Sequence, residues 1–462
     1  MMATNVNAGA RLDRLPISPF HRRVFWLVAW GGFFDSFDNT LSSSVLASLL
    51  KSGWSTLELN SLFMSVTFAG LTIGAAAAGW LSDRLGRRFA YQFNLLIFGS
   101  LAVASSMAPD MHWLIAMRAV MAIGMGAEYV MGWGLITEFV PPGHRGRYLG
   151  WFGLVGGIGV FVTSLVGWVV IPEFGWRPMF LIGGLGTLWI WWERRKLPES
   201  PRWLERMGRG DEAEVILQRI EEEVGRKGPL PPFIPVPQSE PRWIPYSVLF
   251  SRPVIKRTLL AIAIMVVGLF GSYTLTGWMP TFFVKQGMSV TRSLGFNAAM
   301  MGGWIAGPLL CATIADRLGR RWLLVMFGVV CAIFGAAYPF LKTDLVITVG
   351  GFLLVSSVSS FLIMASGCNP ELFSTEFRFR GAGLAQAIGR AGLIVSPTIV
   401  LALFNNYGIG GVIGALSAAY LAVALLMAVS GIETNRRSLE SLDPDSEPDT
   451  IGDTIMTPVR ND

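Results

Sequence analysis

The chain has 462 residues, 52% hydrophobic and only 15% charged, with a mean hydropathy of +0.51. A soluble domain of this length would carry about a quarter charged residues, so an ordinary soluble enzyme or binding module is excluded. The net charge of +6 does not indicate nucleic acid, because Lys and Arg fall in short clusters between apolar runs, the pattern of membrane loops facing the cytoplasm.

The first twenty residues are polar and basic, and the first apolar run is too long for a signal h-region, so no cleavable signal is expected. Twelve apolar segments follow, over 24–50, 59–82, 89–108, 112–136, 147–171, 175–194, 257–282, 291–315, 321–341, 344–369, 379–405 and 409–431. Each is near the length that spans a bilayer core. The 53 glycines and 17 tryptophans suit such helices, which use Gly for close packing and Trp at the interfaces.

The domain plan is a tail over 1–23, six segments over 24–194, a polar loop over 195–256, six segments over 257–431 and an acidic tail over 432–462. Within the loop, Asp211 and Glu214 make a capping-box-like start to an amphipathic run of Ala213, Ile216, Leu217, Ile220 and Val224. The Pro-rich stretch after it, GPLPPFIPVPQ, reads as an extended linker. Cys311, Cys331 and Cys368 fall inside apolar segments and are expected as free packing thiols. Sixteen arginines lie in the tails and short loops at one end of this plan. Against them stand Lys51, Arg177, Lys285, Arg292 and Lys342 at the other. The positive-inside rule places both termini and the 195–256 loop in the cytoplasm, in a plasma (inner) membrane protein.

The sequence GWLSDRLGRR at 79–88 returns as ATIADRLGRR at 312–321, half a chain later. A basic inner loop explains the charges, but not the same hexapeptide twice at this spacing. Gly86 and Gly319 permit the sharp turn, and the flanking acids and arginines can pair across the loop. Further motifs are RAVMAIGMGAEY from Arg118, PESPRWL at 198–204, EFVPPGHRG at 138–146 and PELFSTEFRFRG at 370–381.

On these motifs the chain resembles the major facilitator superfamily over about residues 20 to 432. The resemblance implies an all-α membrane protein: two six-helix bundles around a central cavity, rocking between inward-open and outward-open states. RLDRLPISPFHRRV and the FFDSFDN of segment one look most like the aromatic-acid and niacin-type metabolite symporters. Segment five, GWFGLVGGIGVFVTSLVGW, lacks the Gly-Pro motif of drug–proton antiporters.

Ionisable residues at membrane depth are functional candidates. Asp35 and Asp38 are 11 and 14 residues into segment one, and one turn apart on a single helix face. At 1.5 Å per residue they lie about 17 and 21 Å from the inner face. Arg118 is six residues from the outer end of segment four, at the depth of Asp38, so the two can meet if their helices are neighbours. Arg390 lies 11 residues into segment eleven. By the resemblance Asp38 carries proton coupling with Arg118, Asp35 being the further candidate. Arg118 and Arg390 are candidates for a substrate carboxylate, with Tyr273, Trp278, Asn297, Trp304 and Gln386 as cavity liners. Trp278-Met-Pro280 is expected to bend segment seven.

The gating group is Gly79, Asp83, Arg84, Gly86, Arg87, Arg88, Glu128, Glu138 and Arg145. Its counterpart is Asp316, Arg317, Gly319, Arg320, Arg321, Glu371, Glu376 and Arg380. Glu138 and Arg145 with Arg87 are expected to form a salt-bridge cluster holding the outward-open state. Static ion pairing is the plainer reading of all these charges.

No GxSxG, metal cluster, P-loop or nucleotide motif is present, so no cofactor and no enzymatic activity are expected. The expected partners are a small organic solute, a proton and the lipid bilayer, without nucleic acid, around a monomer. The leading expectation is proton-coupled uptake of a small organic acid. The alternatives are a sugar or polyol symporter of the same fold and a non-transporting solute receptor.

Overall fold

The computed structural model describes residues 6–226, 228–232, 246–252, 254–318, 320–373 and 378–430. Among them the secondary structure is helical, with no strand. Helix α1 (Ala8–Asp13) precedes α2 (Pro19–Lys51), α3 (Leu57–Leu85), α4 (Arg87–Ser105), α5 (Met111–Phe139), α6 (Pro142–Phe174) and α7 (Arg177–Glu193). The short helices α8 (Pro201–Arg206) and α9 (Gly210–Gly225) follow. The C-terminal half holds α10 (Ile255–Lys285), α11 (Val290–Met301), α12 (Gly303–Leu318), α13 (Arg320–Ala337), α14 (Asp344–Cys368) and α15 (Arg378–Ser430).

Eight helical stretches are each long and apolar enough to cross a membrane. One of them, α15, breaks at Gly408 (φ 64°) and supplies the last two passes. Helices α2, α4 and α7 complete the twelve: α2 and α4 carry more polar side chains along their length, and α7 has only 17 residues. Segment eight is divided between α11 and α12 at Gly302. Helix α10 continues through Pro280 to Lys285. Side chains cap several starts: Asp110 accepts from Trp113 N at 2.8 Å before α5, and Thr56 from Leu59 N at 3.2 Å before α3.

The internal repeat appears as a repeated neighbour scheme. In the N-terminal half α3 packs on α5, α2 on α6 and α4 on α7. In the C-terminal half α12 packs on α14, α10 on the first part of α15 and α13 on its second part, where Gly328 meets Ala424. The halves join through α3 with α15, α2 with α10, and α6 with α11 and α12. Helices α3 and α5 approach to backbone contact. A Cβ on Gly74 would stand 1.8 Å from the Ile123 carbonyl, and one on Gly126 would stand 2.1 Å from that of Leu71. Small residues let the two backbones touch, which in lipid replaces the missing hydrophobic drive between helices. Large apolar side chains such as Trp80, Trp151, Trp192, Leu185 and Val429 are exposed, as a lipid-facing surface requires. The three cysteines are buried and form no disulfide with one another.

The residues before α2 are more than a tail. Helix α1 docks on α8 and α9, with Ala8 N bonded to Glu205 Oε2 at 3.0 Å. Arg11 pairs with Glu214 and with Glu221 at 2.7 Å, and Arg14 reaches Glu221 at 2.7 Å. Helix α9 buries Ala213, Leu217, Ile220 and Val224 as its pattern predicts. The capping box does not form: the helix starts from Arg209, and Glu214 is drawn to Arg11 instead. Most of the Pro-rich linker and the acidic tail after Ile432 lie outside the described residues.

Gly74→Ala is expected to lower stability by about 1–3 kcal/mol, because the neighbouring backbone cannot yield. Gly134→Ala, whose Cβ meets nothing within 4 Å, should leave the melting temperature in detergent unchanged or raise it. Equal effects at the two sites would refute the close-packing account.

Burial pushes the Glu221 carboxyl up, but the hydrogen bonds from Arg11 and Arg14 outweigh it and hold the group below its ordinary value. A depressed carboxylate stabilises the fold above its unfolded pKa of about 4.3, and that stability is lost as the pH falls below it. Protease cleavage of residues 1–18 should therefore stay slow at neutral pH and accelerate under acid. A rate unchanged down to pH 3 would exclude the pairing as the clasp.

Candidate functional site

The FFDSFDN stretch of α2 turns Asp35 and Asp38 toward the interior, 7% and 0% exposed. Arg118 on α5, 1% exposed, meets Asp38 at the depth expected from residue counting. Its Nη1 donates to Asp38 Oδ2 and its Nη2 to the Asp38 carbonyl at 3.4 Å. Its Nε donates to Thr67 Oγ1 at 3.2 Å, and its plane lies 5.4 Å from the Phe63 ring. One carboxylate, one hydroxyl and one aromatic face thus replace the guanidinium's water. Losing the carboxylate would leave a buried charge at a cost of several kcal/mol.

Asp35 sits one turn away without an arginine of its own. The charges that act on it are Glu128, Asp38, Arg118 and, from α15 in the other half, Arg390. Gln386 lies one turn before Arg390, both half-buried.

Glu128 stands apart from the loop charges with which the motif grouped it. It is 2% exposed inside the bundle and accepts from Arg194 Nη1 at 2.7 Å. Arg194 also donates to the carbonyls of Leu27 at 2.7 Å and Val28 at 2.9 Å, and stacks 4.0 Å over Tyr91. Gly31 makes this possible, since a Cβ there would stand 1.7 Å from Arg194 Nη2. Sequence reasoning missed Arg194 because it begins an RRK run and reads as an ordinary basic flank.

The first DRLGRR loop is a network at the arginine-rich end of the N-terminal half. Arg87 donates to Asp83 at 2.7 Å, Ser82 at 2.8 Å and Glu138 at 3.1 Å. Gly86, at φ 97°, makes the turn into α4, and Glu199 of PESPRWL caps that helix through the N–H groups of Arg87 at 2.9 Å and Arg88 at 3.1 Å. Trp203 Nε1 donates to the Asp83 carbonyl at 2.9 Å. Arg84 lies over Trp80, and Gly79 falls within α3. Arg145 does not join Glu138. With Arg202 it holds Asp13 of α1, at 2.7 and 2.6 Å.

In the other half Arg321 donates to the Ala428 carbonyl at 2.6 Å, and Arg380 lies 5.8 Å from the Tyr246 ring. The side chains of Asp316, Arg317, Arg320, Glu371 and Glu376, together with Gly319, lie outside the described residues.

The expected cavity liners divide. Trp278 is buried at 3% and stacks on Phe282, so it belongs to the core. Asn297, fully buried, donates to Ser164 across the halves at 3.3 Å. Tyr273 meets Phe68 edge-on at 5.0 Å across the same boundary, and Trp304 brings its carbonyl against Gly157. These contacts run from the midplane to the end opposite the DRLGRR loops. There, Ser61 and Ser65 of α3 face Val395 and Thr398 of α15 across a crevice of about 430 Å³.

The sequence model of the Major Facilitator Superfamily matches residues 28–369. The chain is 35% identical over 441 residues to the inner membrane metabolite transport protein YdjE of Escherichia coli (strain K12), covering 94% of this chain and 98% of that protein. It is 32% identical to the niacin transporter NiaP of Acinetobacter baylyi, covering 94% and 99%. In fold it is similar to the inward open xylose transporter XylE from E. coli, with a TM-score of 0.72 at 17% identity, covering 91% and 99%. Twelve helices in two halves of one neighbour scheme, the repeated loop motif and these matches place the chain in one family: it belongs to the Major Facilitator Superfamily, and is a multi-pass membrane transporter rather than an enzyme.

Proposed function

We propose that the protein takes up a small organic acid together with a proton by alternating access, and the buried Asp38–Arg118 pair is the observation that carries this reading. An ionised Asp38 satisfies Arg118. A protonated Asp38 releases it, and the planar guanidinium fork then suits a substrate carboxylate. Proton and anion therefore favour each other's binding, and the linkage is reciprocal. Arg390, from the other half, offers a second positive group at the same interior. The niacin transporter among the relatives supports an aromatic monocarboxylate as cargo.

The arginine-rich end faces the cytoplasm in this reading, with both termini and the 195–256 loop. The described contacts between the halves lie from the midplane to the opposite end, which supports an inward-open state. The Asp83–Arg87–Glu138 cluster would then engage the other half when that end closes. A solute receptor fits less well, because a static site has no use for a titratable pair.

Orientation can be read directly. A cysteine placed at the exposed Glu222 of α9 should resist a membrane-impermeant thiol reagent in sealed cells and react after lysis. Labelling from outside would reverse the topology.

For coupling, the probes are nicotinate, other aromatic acids and xylose, offered to proteoliposomes under an imposed pH gradient. Asp38→Asn mimics the protonated form. It should keep binding and counterflow while losing gradient-driven accumulation, with an affinity no longer dependent on pH. Arg118→Ala should weaken acid binding by about 30-fold or more, the scale of removing one partner of a buried charge pair. Accumulation of an acid by Asp38→Asn with a normal pH response would place the proton elsewhere, and uptake of xylose alone would replace the organic acid with a sugar.

A further inference from the structure

Among the described residues, five charged side chains are buried in the membrane interior, all in the N-terminal half: Asp35, Asp38, Glu128, Arg118 and Arg194. Three carboxylates face two arginines. An unpaired ionised carboxylate in such an interior is so costly that the group takes up a proton instead. Asp38 has Arg118 and Glu128 has Arg194, which leaves Asp35, whose Oδ1 receives no hydrogen bond.

Glu128 lies against the helix that carries Asp35: a Cβ on Gly31, one turn before Asp35 on α2, would stand 2.5 Å from Glu128 Oε1. Glu128 uses only one oxygen on Arg194. Its Oε2 is buried and unbonded, with the Tyr91 hydroxyl beside the carboxyl but outside hydrogen-bond geometry. Two carboxylates at one site hold a proton jointly, because both cannot be ionised.

We propose that Asp35 and Glu128 share one proton, and that Glu128 is a second proton-carrying group, placed between the central charges and the arginine-rich end. The step is a transfer: the O–H bond on Asp35 breaks, one forms on Glu128, and Asp35 is left as the carboxylate. Arg194 is the positioning residue. Two backbone carbonyls and the Tyr91 face hold it whether or not Glu128 is charged. Arg118 has less support without its acid, so the two pairs are unequal.

The groups facing Glu128 are Asp35 from α2, Tyr91 from α4 and Arg194 after α7, while Asp38, Arg118 and Arg390 act on it only through Asp35. Helix α3 over 71–78 and α6 over 149–160 carry no ionisable side chain. Arg390 belongs to the other half, so rocking changes its hold on Asp35 and hence the balance of the shared proton.

The transport role rests on the proton-coupled reading, but the test does not use transport. Infrared spectra of the full chain in lipid at pH 7, without substrate, are compared after carboxyl-carbon-13 labelling of aspartate or of glutamate. The carboxylic C=O band of a buried protonated acid should shift in part with each label. Glu128→Gln should abolish the glutamate-labelled part, and Glu128→Asp should move the whole band to the aspartate label. A band that responds to the aspartate label alone fixes the proton on Asp35 and makes Glu128–Arg194 a static clamp; absence of any band overturns the sharing outright. Should Glu128→Gln not fold, the labelled wild type and Glu128→Asp decide alone. If Asp38→Asn still accumulates acid while both labels shift the band, the coupling at Asp38 fails and the shared proton stands.

Discussion

The structure depends on one constraint: charge placed in a membrane interior must be neutralised where it stands. At the Asp38–Arg118 pair, both groups are 1% exposed or less, and neither has water to fall back on. The idealised cost of taking each ion from water is of order 20 kcal/mol, and several kcal/mol remain after relaxation. Hydrophobic packing around the pair gains far less per side chain. Such a pair therefore contributes little net stability, but breaking it singly is expensive. Under the proposed function, that asymmetry suits the pair to states that differ by a proton or an anion.

The packing serves this constraint. Helices α3 and α5 touch at backbone distance, which holds Thr67 of α3 against Arg118 of α5. Gly31 removes the one Cβ that would displace Arg194. The N-terminal half gathers the buried charges, and among the described residues the C-terminal half contributes Arg390 from α15 and a polar seam of Asn297 and Tyr273. The two halves share a neighbour scheme and differ in charge, so relative motion of two similar bodies becomes a change in electrostatic surroundings.

Much of this was legible in the sequence, because membrane physics writes itself into length and charge. Apolar runs gave the twelve passes. A rise of 1.5 Å per residue was enough to set Asp38 and Arg118 at one depth. What residue counting could not supply is azimuth. Trp278 and Asn297 lie at plausible depths but point into packing and across the seam. Arg145 follows Glu138 by seven residues, yet it turns to Asp13, which is distant in sequence. Arg194 was hidden for another reason. A basic flank is the commonest feature at a helix end, and nothing local distinguishes the arginine that folds back inside from its neighbours Arg195 and Lys196.

The seam between the halves explains how a small chemical event can move so large a body. One described polar link is the Asn297–Ser164 hydrogen bond at 3.3 Å, worth about 0.5–1.5 kcal/mol net. The Tyr273–Phe68 edge contact adds a similar amount, about 0.5–1.5 kcal/mol. Gly157 also lies against the Trp304 carbonyl, a close backbone contact that separates without leaving an ion behind. Each of these contacts is worth about a kcal/mol, while breaking one buried charge pair costs several. In the proposed cycle, a proton arriving at Asp38 or an anion claiming Arg118 would outweigh any one of these described contacts.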